Sequence, residues 1–366
     1  MNDLIPVELY AYVYYYVILI VLLFTSLHLY ARSTEDMQNV KYNYIMLHLL
    51  FCFVWIYMGS RPVSFWFGDM GIYARYYDEF QRGDLPNVDG DVLFYGFMKL
   101  CSKIMEKDFF FLIIAFFYCY PVYLVSKKWG KENALYLFLM LIGAFSFWSY
   151  GTNGLRNGLA TSVFLLGVSQ NKIKYQLAWI CLAVLIHKST ILIIICYLIG
   201  LKFKDEKKLV YLWFLSILLS ITVGSVLENF LLSIGVMGDD KITAYLNNID
   251  EYAEEFSNTG FRLDFLIYSA TGVFAGWYYK TIKKFDDKFY NIIYAFYIVA
   301  NSLWIIIIRA AYSNRFAYLS WFVLSIIIFY PVVQNSMIKN ERNRILLANL
   351  MILYFAVTFL MNVILG

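Results

Sequence analysis

Apolar runs of about 17 to 22 residues recur along this chain, and short clusters of charge separate them. A helix needs about 20 apolar residues, rising about 1.5 Å each, to cross a hydrocarbon core about 30 Å thick. A backbone in lipid must also satisfy its own hydrogen bonds, which leaves helices and closed barrels. A barrel strand reads as roughly ten residues of alternating polarity, and the run from Ile345 to Leu365 does not alternate. The chain is therefore predicted to be an all-α polytopic membrane protein. Composition agrees: 61% of its 366 residues are hydrophobic and 15% are charged, against about 45–50% and 25% in a soluble domain. Too little polar surface is left to face water all round, which excludes soluble enzymes, secreted disulfide scaffolds and nucleic-acid binders.

Candidate spans fall at about 10–30, 42–59, 108–126, 133–150, 155–170, 209–227, 262–279, 289–308, 315–335 and 345–365. A further run at 175–201 is interrupted by His187, Lys188 and Ser189. The first run lacks a basic leader and a small-residue cleavage site and reads as a retained helix. Of 30 Lys and Arg, 18 sit in short clusters at 32–41, 127–131, 172–174, 202–208, 280–288 and 339–344. The positive-inside rule makes those loops cytoplasmic. Both ends of the interrupted run are then cytoplasmic, so it is expected to go in and return as two helices of about 20 Å that turn near His187. The total is about 12 membrane segments in a single integral membrane domain, residues 1–366, with both termini outside and external loops at about 60–107 and 228–261. The five cysteines (Cys52, Cys101, Cys119, Cys181, Cys196) show no CxxC or Cys/His spacing and read as packing residues. No internal repeat supports a transporter of duplicated halves.

A charge inside or at the lip of a membrane bundle costs at least about 2.5–3.5 kcal/mol at a helix centre, so such residues call for an explanation. Four places qualify, all on the predicted outer side. At Phe145 to Ala160 an aromatic, glycine-rich break joins two spans, and Arg156 falls in the first turn of the second. A cation there, where the helix dipole already favours anions, suits a phosphate; snorkelling to lipid headgroups is the alternative. Thr152 or Asn153 is placed to cap that helix. His187, Lys188 and Ser189 at a membrane-depth bend offer a diphosphate donor or a proton shuttle, beside a purely structural histidine. In the stretch from Arg309 to Tyr318, Arg315 starts a helix where bidentate bonding to phosphate is natural, whereas Arg309 at a helix end complements the dipole. The first external loop carries Asp69, Asp78, Glu79 and an Asp89–Asp91 DxD triplet, acids suited to deprotonating a sugar hydroxyl or, for the triplet, to holding a metal; solvated loop acids are the ordinary reading.

Together these pieces resemble bacterial exopolysaccharide and O-antigen polymerases of the EpsG-like, Wzy-type group. Gly68, Asp69, Tyr73, Tyr77 and Phe80 match an early external motif, with Asp91 before Phe94 where the group often has Glu. Asn153, Arg156, Asn157 and Ala160 match a central motif in which position 157 is usually Gln; Asn keeps the amide but shortens it. His187, Lys188 and Ser189 form an intact HKS motif, and Arg315, Phe316 and Tyr318 match a late one. The resemblance covers about residues 60–335.

It implies a GT-C-related glycosyltransferase-like bundle in the bacterial inner membrane, with its active site facing the periplasm. The implied reaction moves a growing glycan from undecaprenyl diphosphate to the non-reducing end of a new undecaprenyl-diphosphate-linked repeat unit. Arg156 and Arg315, with His187 and Lys188, are the expected diphosphate ligands, and Asn153, Asn157, Tyr73 and Tyr318 are expected binding residues. Asp69 or Asp91 is the expected base, with His187 as the alternative. No cofactor and no metal are expected. The expected partners are the lipid-linked donor and acceptor, membrane lipids and a chain-length regulator of the Wzz type, and no nucleic acid. An O-antigen ligase, which uses the same donor, and a flippase or transporter for the same lipid are the competing readings.

Overall fold

The computed structural model describes residues 5–31, 37–88, 90–203, 205–233, 261–309, 313–334 and 340–365. Asp89 and most of the acidic loop expected at 228–261 lie outside the described residues. All regular elements among the described residues are helical. Among the described residues, seven stretches are long and apolar enough to cross a membrane: Val7–Ala31, Val40–Gly59, Lys107–Ile142, Glu206–Gly224, Lys288–Ile306, Asn314–Val333 and Glu341–Ile364. Four shorter apolar helices accompany them. The chain is a multi-pass helical membrane protein. It separates into two compact units, Met1–His187 with Phe329–Gly366, and Lys188–Ile328.

The first unit contains α1 (Tyr10–Ala31), α2 (Met37–Gly59), α3 (Met70–Arg82), α4 (Val92–Cys101), α5 (Lys107–Gly130), α6 (Ala134–Ile142), α7 (Phe147–Thr152), α8 (Leu155–Val168) and α9 (Ile173–Ile186). The stretch Lys107–Ile142 is not one straight rod. The rings of Tyr123 and Phe138 lie 6.1 Å apart, whereas about fifteen residues of straight helix would separate them by about 22 Å. The chain reverses at Lys131, whose φ is +52°, and α6 and α7 return along α5. Tyr118 on α5 accordingly donates to the Phe147 carbonyl at 2.9 Å. Ser162 on α8 donates to the Tyr118 carbonyl at 2.6 Å. Where α9 runs back along α8, a Cβ added at Gly167 would meet Trp179 Cβ at 2.9 Å, so the small residue sets the approach of the two backbones. These antiparallel pairs put the end of α2 and the starts of α5 and α8 at one end of the unit. Lys128, which donates to the Ser169 carbonyl, marks the other end.

The second unit contains α10 (Thr190–Gly200), α11 (Glu206–Ser233, kinked at Val223), α12 (Leu263–Trp277), α13 (Lys288–Ile306) and α14 (Asn314–Trp321). Most of α13 is buried, and its Asn301 amide is paired across helices on both sides. Trp213 Nε1 donates to Asn301 Oδ1 at 2.8 Å, and Asn301 Nδ2 donates to Ser320 Oγ at 3.0 Å. Helix α15 (Leu324–Val333) carries the chain back to the first unit, which α16 (Glu341–Phe359) completes. The expected break at His187 to Ser189 is where α9 ends and α10 begins. Arg344, read from the sequence as a loop residue, instead lies in the first turn of α16 and is buried.

Candidate active site

Two of the left-handed positions between α2 and α5 shape the site. Gly68 has φ +61°, and a Cβ there would fall 2.4 Å from Asn153 Cγ, so only glycine lets the chain pass the Asn153 amide. Asn153 Oδ1 then accepts the Asp69 backbone N–H at 2.9 Å. Asp69 precedes α3, and Tyr73 lies one helical turn further on. The second position is Asp91 itself, with φ +47° after Gly90 at φ +66°. Asp91 precedes α4, but its side chain makes no cap to that helix.

The Asp91 carboxylate serves other partners. A single oxygen, Oδ2, accepts from Arg156 Nη1 at 2.6 Å and from His187 Nδ1 at 2.9 Å. The Asp91 side chain is fully enclosed, whereas Arg156 and His187 keep 18% and 13% of theirs exposed. A buried carboxylate is costly unless paired and hydrogen-bonded, and two converging donors supply that compensation. Arg156 Nε also donates to the Tyr73 hydroxyl at 3.1 Å. Its guanidinium carbon lies 5.7 Å from the Tyr73 ring and 5.5 Å from the Tyr95 ring, within the range of cation–π attraction. Among the described residues, the Arg156 Nη2 donors have no protein partner. Burial pushes the Tyr95 phenol above its ordinary pKa, against an opposing pull from the Arg156 charge, so it keeps its proton at neutral pH.

Local structure explains how Arg156 reaches this point. Helix α7 ends at Thr152 and α8 starts at Leu155. Gly158 packs on the Tyr150 carbonyl so closely that a Cβ would sit 2.5 Å away, which allows the tight reversal that sets Arg156 in the first turn. His187 enters from α9, where the helix gives way to extended backbone at φ −150°.

Seven of the ten residues singled out in the sequence therefore belong to one end of the first unit: Asp69, Tyr73, Asp91, Asn153, Arg156, Asn157 and His187. Asp69 is half-buried, and among the described residues its carboxylate has no hydrogen-bond or ion-pair partner. Asn157 Oδ1 is buried without a hydrogen bond. Lys188, Arg315 and Tyr318 belong to the second unit. There Arg315 lies in the first turn of α14, and the Tyr318 ring packs 5.3 Å from that of Trp321.

Two contributors escape a reading of the sequence. Tyr95 follows Asp91 by one helical turn, a spacing visible in the sequence but unremarkable among 33 tyrosines. Arg61 is buried at the end of α2. It donates to the Met58 carbonyl and, at 3.0 Å, to the Thr152 carbonyl, and its guanidinium carbon lies 5.5 Å from the Phe67 ring. It thus ties the C-terminal ends of α2 and α7 together, one residue before Asn153. Burial pushes its pKa down to about 9, which leaves it a cation at neutral pH.

Fold and site define a class: a multi-pass helical membrane protein in which a buried carboxylate, an arginine, a histidine and two tyrosines meet at helix ends. A family model described as the EpsG family matches residues 44–365, and the chain belongs to that family. The family is one of polysaccharide-polymerase-like membrane proteins. No curated protein and no solved structure matches the chain.

Proposed function

We propose that the protein is an O-antigen, or surface polysaccharide, polymerase of the bacterial inner membrane. In this reading it transfers a growing glycan from undecaprenyl diphosphate to the non-reducing end of a new lipid-linked repeat unit at the periplasmic face. The observation that carries the reading is the convergence of Arg156 Nη1 and His187 Nδ1 on one oxygen of enclosed Asp91.

The chemistry needs a cation for the departing diphosphate and a base for the acceptor hydroxyl. Arg156 is anchored through Nε and Nη1, and its Nη2 donors are left for phosphate oxygens. His187 donates Nδ1–H to Asp91, so in the neutral ring Nε2 carries the lone pair. Asp91 thereby sets tautomer and orientation, as the carboxylate does in an Asp–His–nucleophile relay. The base is therefore His187, with Asp91 as its positioning residue; Asp69, whose carboxylate is unengaged, is the second base in this reading. Nε2 takes the hydroxyl proton, the hydroxyl oxygen bonds to the anomeric carbon, and the glycosidic C–O bond breaks. The bonding electrons depart with the diphosphate onto Arg156. This is a single displacement with inversion.

Arg315, Lys188 and Tyr318 remain diphosphate- or glycan-binding residues on their motifs alone. The reading also keeps about 12 segments, counting α6–α7, α8, α9 and α10 as membrane elements, and a GT-C-related bundle. The test is the lipopolysaccharide ladder of a deletion strain complemented with His187→Ala or Arg156→Lys. A polymerase gives single-repeat lipopolysaccharide with the variants present in the membrane. A normal ladder contradicts the assigned roles, loss of every repeat from the core indicates a ligase, and lipid-linked repeats trapped on the cytoplasmic leaflet indicate a flippase.

A further inference from the structure

Helices α3 and α4 belong to one segment between Gly59 and Lys107, yet they turn different chemistry outward. The exposed positions of α3 include Arg75, Gln81 and Arg82. On α4 and the turn after it, the exposed apolar side chains are Val92, Leu93, Leu100 and Ile104, the first and last 75% and 70% exposed. Positions 93, 100 and 104 recur at helical spacing and form one stripe. The opposite face, with Phe94, Tyr95, Met98 and Cys101, is buried in the unit. Lys99 and Lys103, one turn apart and both exposed, border the stripe. No acidic residue lies between Val92 and Ile104.

A stripe of this kind is unfavourable in water by about 25 cal/mol per Å² of apolar surface. Helix α4, at ten residues, is about 15 Å long and too short to cross a bilayer. An apolar face edged by lysines is the pattern of a helix lying in the membrane interface, its lysine stems along hydrocarbon and its ammonium groups among phosphates. We propose that the outer face of α4 docks on an anionic lipid leaflet, with Leu93, Leu100 and Ile104 at the acyl boundary and Lys99 and Lys103 on headgroup phosphates. Asp91 immediately precedes this helix, so the same contact holds Asp91, and the Arg156 and His187 side chains bonded to it, at the depth where lipid phosphates lie.

The test uses the full chain in lipid nanodiscs, with exposed Cys52 and Cys181 changed to serine; the other three cysteines are buried. A bimane label is placed at Leu100→Cys or, as the aqueous control on α3, at Arg75→Cys. Its quenching is read with a doxyl-chain phospholipid, anionic in anionic discs and zwitterionic in neutral ones, and with iodide. The expected result is several-fold stronger lipid quenching at position 100 than at 75, with the order reversed for iodide. Adding Lys99→Gln and Lys103→Gln should weaken lipid quenching at position 100 in anionic discs and leave it unchanged in neutral ones. Equal iodide quenching at both positions overturns the proposal. So does protection of position 100 from both quenchers, which would place another protein or a second copy on α4. No effect of the lysine changes overturns the anionic headgroup assignment. Because quenching reads depth and not turnover, its failure is distinct from failure of the polymerase reading.

Discussion

Two buried polar networks in this molecule are built on opposite principles. In the second unit, Trp213, Asn301 and Ser320 form a neutral chain inside packed helices, and Asn301 and Ser320 are fully buried. In the first unit, Asp91, Arg156, His187 and Tyr73 form a charged cluster at helix ends, whose cation and imidazole stay partly open. The neutral chain satisfies its groups and fixes how helices meet, which is what buried amides and indoles do in a bilayer. The charged cluster bears the cost of burying a carboxylate and leaves the Nη2 edge and the second ring nitrogen unused by it. Packing alone accounts for the first network. Chemistry is the better account of the second.

Substitutions separate the two. His187→Ala should lower chain extension by about 10²- to 10⁴-fold, the usual weight of a general base, with no loss of protein from the membrane. Arg156→Ala should cost about 10²- to 10³-fold as a lost electrostatic donor. It also strips Asp91 of its cation, which costs about 3–5 kcal/mol when a buried pair is broken. Arg156→Lys retains the charge, so its activity loss with an unchanged melting temperature isolates the phosphate role. Tyr73→Phe, which removes the hydroxyl that accepts from Arg156 Nε, should reduce extension by about two- to tenfold, the worth of one hydrogen bond. Asn301→Leu should act oppositely. It should lower the melting temperature, at about 0.6–2 kcal/mol per lost interhelical bond, while each folded molecule keeps its full turnover. Equal effects of Asn301→Leu and Tyr73→Phe on turnover per folded molecule would erase the distinction.

The seven long apolar stretches among the described residues were legible because hydropathy and length are local properties, and the helix break at His187 was legible because polar residues interrupt an apolar run. Asp69, Asp91, Arg156 and His187 stood out as charges in expensive places. Their mutual arrangement did not. Asp91 and Arg156 are 65 positions apart, and Asp91 and His187 are 96 apart; only the return of α6 and α7 along α5, and then of α9 along α8, brings them together. The sequence therefore presented Asp91 as a candidate base; in the proposed reading its enclosure between two donors gives it the positioning role and His187 the base. Arg61 was illegible for a related reason: its partners are backbone carbonyls, which no side-chain pattern reports.

The central claim is that His187, oriented by Asp91, and Arg156 together drive glycan transfer from a lipid diphosphate. The most direct measurement follows extension of an undecaprenyl-diphosphate-linked repeat unit by the purified full-length protein in nanodiscs, comparing wild type with His187→Ala and Arg156→Lys at matched melting temperature. The account predicts a ladder of extended products with matching release of undecaprenyl diphosphate from wild type, and single repeats from both variants. Ladders of equal length from all three proteins would contradict it.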